Sequence, residues 1–218
     1  MRGRLVARTW SYDPALYAPP RFRKACRYKA FIPDVLAGFN EPIQGQLVGS
    51  ISDAEAAISR LNSGNTSALA PLARLLLRSE SIASSKIEGM QILPHDLVRA
   101  EMKMQAGEKV SAVAREVISN IDAMELAIAQ STQVKEFKLA HIVDIHRALM
   151  ANAHNSHIAG VIRAEQNWIG GNDYNPSGAD FVPPPSEEVP RLLADLIKAM
   201  NQNYLPPIVQ AALVHAQF

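Results

Sequence analysis

Residues 109–131 read KVSAVAREVISNIDAMELAIAQS. Apolar side chains recur in this stretch at steps of four, four, three and four residues, at Val113, Val117, Ile121, Met124 and Ile128. Such spacing places them along one face of an α-helix. The stretch therefore predicts a long amphipathic helix whose apolar face packs against other helices.

The same kind of periodicity extends to both sides of this helix. It predicts further helices over 52–64, 67–89, 94–105, 139–150, 186–200 and 208–218. Ser52 and Glu55 have the spacing of a capping box at the start of the first of these helices. In the second helix, most of the large apolar residues are expected to point inward, namely Leu69, Leu72, Leu75, Leu76, Ile82 and Ile87.

Glycine and proline interrupt the helical pattern between residues 153 and 185. Short apolar runs at 161–163 and 167–169 can form strands there, so a small β-hairpin is expected. The predicted fold class is therefore all-α with one β-hairpin.

The first 50 residues differ from the rest of the chain. Five prolines break this stretch, which predicts an irregular arm with short helical pieces over 1–50. Residues 1–29 carry eight basic residues against the single acidic residue Asp13. We expect this basic arm to pack across the more acidic remainder, although phosphate contacts are an alternative.

Composition excludes several classes of protein. The 218 residues are 48% hydrophobic and 20% charged, which is typical of a globular protein. Basic and acidic residues nearly balance at 22 and 21, so net charge does not indicate nucleic acid or a membrane surface. Cys26 is the sole cysteine, and neither a run of about 18 apolar residues nor a secretory signal is present. We therefore expect a cytoplasmic protein.

Ser84 and Glu88 form the sharpest candidate site. They are four residues apart, so they face the same way on a helix, and Gly89 is suited to end that helix. A carboxylate near the negative end of a helix is electrostatically unfavourable and calls for a cationic partner or a function. His141 and His146 are five apart and cannot share a metal on one helix face, so no residue is assigned to a metal.

Three stretches carry a family resemblance. Ser84-x-x-x-Glu88-Gly89 resembles the inhibitory motif [S/T]-x-x-x-E-[G/N] of Fic proteins. The segment from Gly160 to Gly171, GVIRAEQNWIGG, is similar to the flap hairpin of that family, and FVPPP follows it at 181–185. Residues 211–218, AALVHAQF, resemble the helix that leads into the Fic active-site loop. The resemblance spans residues 30–218 and predicts a Fic-like helical bundle.

The resemblance implies an organisation and an activity. Residues 51–110 would be the Fic N-terminal region with its inhibitory helix, and 111–218 would be a partial Fic core with its flap at 158–183. Fic proteins transfer AMP from ATP, with Mg²⁺, to a hydroxyl of a target protein. The implied inhibitory residues are Ser84, Glu88 and Gly89. The implied flap residues, which cover the nucleotide and align the target, are Ile169, Gly170, Gly171 and Asn172.

The family's catalytic loop, H-P-F-x-[DE]-G-N-G-R-x-x-G-R, does not occur in the sequence. No catalytic residue can be assigned, so the expectation is a bundle incomplete at its C-terminus that is inactive alone and binds ATP weakly at most. Exposed apolar surface is then expected to favour a homodimer or pairing with the missing segment. Nucleic acid would be contacted only through a further C-terminal domain. The alternative interpretation is a non-catalytic helical interaction module related to Fic proteins.

Overall fold

A computed structural model describes residues 2–39, 41–64 and 70–218. Within these ranges the regular structure consists of seven α-helices, three short 3₁₀ helices and one two-stranded sheet. In chain order the strands and α-helices are β1 (Gly3–Trp10), β2 (Cys26–Pro33), α1 (Gly45–Ser63), α2 (Ala70–Ile87), α3 (Pro94–Gln105), α4 (Ala112–Gln133), α5 (Leu139–Met150), α6 (Val189–Met200) and α7 (Pro207–Gln217). The predicted mostly helical class is confirmed. None of the helices in the described ranges has the length and apolar character needed to cross a membrane.

The chain divides into two compact units. The first contains Met1–Glu41 and Arg163–Phe218, and so carries β1, β2, α6 and α7. The second is Pro42–Ile162 and contains α1 to α5.

The core of the second unit is built on α4, as the apolar stripe predicts. Its fully buried centre joins α4 to α3, through Leu97, Ala100, Ala114, Val117, Ile118 and Ile121. Burying each of the larger side chains stabilises the fold by about 1.5–3 kcal/mol. Ile128, the last residue of the predicted stripe, is 54% exposed, so the buried face of α4 ends before the helix does.

Helix α2 packs only partly through the predicted residues. Ile82 packs against the core as predicted, whereas Ile87 is 86% exposed, so that prediction is wrong. Ser81 and Ser85, one turn apart, are fully buried, whereas Leu72, Leu75 and Leu76 are at least half exposed. The Ser81 hydroxyl lies 3.1 Å from the Met124 sulfur, and the Asn120 amide donates to the Ser85 hydroxyl at 3.2 Å. The small serines face α4, and the leucines consequently point away from the core. The prediction for Leu69 falls outside the described residues.

The prediction of an irregular arm over residues 1–50 is wrong. β1 and β2 pair antiparallel along their whole length, with Arg8 opposite Tyr28. The prolines between them lie in the connection, and Pro33 lies at the end of β2, so none interrupts the ladder. α1 also begins at Gly45, which places Ser52 inside the helix and excludes the predicted capping box at its start.

Candidate functional site

The end of α2 presents the first group of candidate residues. After Ile87 the chain turns through Glu88 and Gly89, whose φ of +81° is a left-handed conformation that glycine adopts readily. The Gly89 amide donates to the Lys86 carbonyl at 3.1 Å, and the Met90 amide donates to the Ser85 carbonyl at 3.0 Å. These two bonds form a Schellman cap, so the glycine of the motif has a structural role as the helix stop.

The two polar members of the motif are exposed on this capped helix end. Ser84 and Glu88 both face solvent, while their neighbour Ser85 is buried and anchors the helix. No cation of residues 2–39, 41–64 or 70–218 forms an ion pair with Glu88. A neighbouring surface cation therefore does not account for this carboxylate within the described part of the chain.

The second group of candidate residues belongs to a loop in the first unit. Hydrogen bonds join the two ends of this loop. The Arg163 guanidinium donates to the Pro184 carbonyl at 2.7 Å and to the Glu165 carbonyl at 2.9 Å. Gln166 donates to the Pro183 carbonyl at 3.0 Å. Burial lowers the pKa of Arg163, but a guanidinium titrates so far above neutrality that it stays charged. These contacts join the beginning of the loop to the segment that follows it.

The predicted hairpin is much shorter in the structure than in the sequence interpretation. Residues 161–163 form no strand, and Ile169 pairs instead with Phe181, through amide-to-carbonyl bonds of 2.8 and 3.2 Å. The next two residues, Gly170 and Gly171, have φ of +76° and +75°. A Cβ on Gly171 would lie 2.9 Å from backbone atoms of Gly178 and Ala179, which cannot move aside as a side chain can, so this tight turn requires glycine. The turn leaves too few consecutive extended residues for a longer ladder.

Asn172 organises the tip of the loop. Its side-chain oxygen accepts from the amides of Tyr174 and Asn175 at 2.9 and 3.0 Å, and its amide group donates to the Ser177 carbonyl at 2.9 Å. Its backbone carbonyl accepts from the Trp168 indole at 2.6 Å. Every polar group of the Asn172 side chain is therefore used inside the loop.

Aromatic contacts and a buried asparagine hold the loop within the first unit. The rings of Trp168 and Trp10 meet edge to face with centroids 5.3 Å apart. Asn175 is only 2% exposed, and its side-chain oxygen accepts from the Ser177 amide at 3.0 Å. Sequence reasoning missed Arg163 and Asn175 as organising residues. The Asn-Asp-Tyr-Asn-Pro run at 172–176 was the available signal, because asparagine side chains bind nearby backbone amides in turns.

Comparison with known families finds a match in each of the two regions that contain the candidate residues. Residues 48–129 match the model of the Fic/DOC family N-terminal region, and residues 136–218 match the model of the Fic/DOC family itself. The chain belongs to the Fic family. The N-terminal match contains Ser84, Glu88 and Gly89, and the Fic match contains the loop from Ile169 to Asn172. The β1–β2 sheet lies outside both matches.

A solved structure shares the Fic fold with this chain. It is the crystal structure of a Fic family protein from Desulfovibrio desulfuricans G20, at 20% sequence identity with a TM-score of 0.59. The similarity covers 82% of this chain and 52% of that one, so this chain spans about half the length of its structural relative. A search among curated proteins found no match.

The loop from Ile169 to Asn172 offers a direct test through Asn172. Replacing Asn172 with alanine leaves the Tyr174 and Asn175 amides without their acceptor, and we expect a loss of about 1–3 kcal/mol from the local stability of the loop. Hydrogen exchange at Tyr174 and Asn175 should accelerate, and Trp168 fluorescence should change. Asn172→Asp keeps the acceptor and is the matched control. Equal exchange in the wild type and the alanine variant would contradict the assigned role.

Proposed function

We propose that the complete protein transfers AMP from ATP to a hydroxyl of a target protein, and that Glu88 restrains this transfer. The observation that carries the proposal is the exposed Glu88 carboxylate on a glycine-capped helix end, at the position of the Fic inhibitory motif, where no cation of the described ranges forms an ion pair with it. Membership of the Fic family supports the general activity.

The geometry of α2 suits an inhibitory carboxylate. The helix is anchored by buried Ser81 and Ser85, so Glu88 extends from a fixed support. A carboxylate at the negative end of a helix gains more from a guanidinium partner than one elsewhere, because the helix dipole opposes its isolated charge. Arginine binds carboxylates and phosphates with the same planar group. A Glu88–arginine pair would therefore compete with the γ-phosphate of ATP for that arginine.

The loop from Ile169 to Asn172 is proposed to align the target by strand addition. The Ile169 side chain is exposed, and the amide and carbonyl groups of Gly170 and Gly171 have no hydrogen-bond partner within the described parts of the chain. Unpaired backbone groups beside a β-bridge can accept an additional extended segment. The internal bonds of Asn172 would keep this edge in place while a target segment binds.

The transfer of AMP itself would belong to the family's catalytic loop, which residues 1–218 do not contain. In the described ranges no three or more His, Cys, Asp or Glu side chains cluster as metal ligands, so these residues do not fit a Mg²⁺ site. The proposed contributions of this chain are the restraint by Glu88 and the alignment of the target.

The test uses protein expressed from the complete reading frame, incubated with a candidate proteome and with ATP labelled either in adenine or in the γ-phosphate. Transfer of AMP should attach the adenine label to protein and leave the γ-label in pyrophosphate. Attachment of the γ-label alone would indicate phosphoryl transfer and contradict the proposal. Attachment of neither label would favour the non-catalytic interaction module.

A further inference from the structure

The second unit contains an open cavity of about 700 Å³ that Ser84, Glu88 and Gly89 do not line. It lies between the end of α2, the connection to α3, one side of α3 and the start of α4, all within Pro42–Ile162. Its volume is within the range of small-molecule sites, about 300–1,000 Å³.

The polar lining of the cavity is strongly biased towards positive charge. Lys86, Arg99, Lys103 and Lys109 line it, against the single carboxylate of Asp96. Across the described ranges the three lysines form no ion pair, and the Arg99 guanidinium lies 3.8 Å from Asp96, a carboxylate that His95 also contacts at 3.2 Å. Four cations drawn from three separate segments therefore converge on one concavity with little internal neutralisation. A cavity lined by one sign of charge concentrates ions of the opposite sign.

Apart from the uncharged polar residues Gln91 and Ser111, the rest of the lining is apolar. Ile82, Ile92, Ala100, Val110 and Ala114 contribute to it, and Ala100 and Ala114 belong to the buried core of this unit. The cations thus surround a surface fixed by the packing of α3 against α4. This combination suits a ligand with clustered negative charge and an uncharged body.

We propose that this cavity binds a small molecule carrying two or more adjacent phosphate groups. Lysine and arginine donate charge-assisted hydrogen bonds to phosphate oxygens, and adjacent phosphates match several cations at once. The apolar lining accommodates the uncharged part of such a molecule. The site goes beyond the proposed transfer function, because it uses none of Ser84, Glu88, Gly89 or the flap.

The experiment is titration calorimetry on the 218-residue chain with two probes, inorganic tripolyphosphate and ADP. We expect a dissociation constant of about 1 mM or tighter at low salt, weakening as salt is added. The two probes distinguish free polyphosphate from an organic phosphate, since only ADP brings an uncharged body for the apolar lining. Absence of binding by both probes at millimolar concentration would overturn the proposal.

A pair of double variants locates the binding. Lys103→Gln with Lys109→Gln removes two exposed cavity cations and should weaken binding about tenfold. The control pair, Lys135→Gln with Lys138→Gln, also removes two positive charges. These lysines follow the C-terminal end of α4, about 33 Å along the helix from the cavity, so the affinity should change less than about twofold. Circular dichroism confirms that each variant is folded. Equal weakening by the two pairs would show that net charge alone binds the probes and would overturn the proposed site.

Discussion

Replacing Glu88 with glycine in the complete protein should raise its self-labelling from adenine-labelled ATP by about tenfold or more. The expected size follows from removing a charge-assisted carboxylate–guanidinium contact, which contributes about 1.5–3 kcal/mol. No cation in the described part of the chain forms an ion pair with Glu88, so the carboxylate is available for this contact.

Glutamine variants separate charge from helix stability. Glycine at position 88 could loosen the end of α2, whereas Glu88→Gln keeps the shape and removes only the charge, so it too should raise labelling. Glu80→Gln is the matched control, because Glu80 is an exposed glutamate of α2 that lies outside the motif. Unchanged labelling in both Glu88 variants, with intact circular dichroism and ATP binding, would contradict inhibition by Glu88.

Leu97→Ala should cost the second unit about 2–5 kcal/mol of stability, because Leu97 is 1% exposed at the centre of the α3–α4 core. Removing its side chain loses apolar burial and leaves a cavity that the fixed helices cannot fill. The measurement is guanidinium denaturation followed by circular dichroism. Both tryptophans belong to the first unit, so their fluorescence cannot report on this core.

A second leucine beside the first provides the control. Leu93, four residues before Leu97, is 58% exposed, and Leu93→Ala should change stability by no more than about 0.5 kcal/mol. Comparable shifts in the denaturation midpoint for the two variants would show that the core is not centred on Leu97.

The comparison of α4 with α2 shows how far local periodicity can predict packing. In α4 the apolar residues form one stripe, so the buried face was evident, and Val117 and Ile121 are indeed buried. In α2 the leucines suggested one face, yet Ser81 and Ser85 pack against α4. The partner helix selects the face that packs, and periodicity within α2 contains no information about Met124 or Asn120.

In the candidate site, too, some features were predictable from the sequence and others were not. Gly89 was recognisable as a helix stop because a left-handed residue after a helix is a local requirement, and the bounds of α3 and α5 followed from proline, glycine and spacing. The short bridge between Ile169 and Phe181 was not recognisable. It depends on the close approach of the Asp180 side chain to Gly170 and on the hydrogen bonds of Asn172, which cross the loop.

The sequence by itself determined the helical class, the positions of the main helices and the stop at Gly89, because each depends on neighbours within a few positions along the chain. Tertiary structure decided the β1–β2 sheet, the packed face of α2 and the cationic cavity. Each of these joins segments that are distant in sequence: β1 meets β2 across the connection from 11 to 25, and Lys86, Arg99 and Lys109 converge from three elements. Such contacts depend on chain closure and packing, which local residue patterns do not specify.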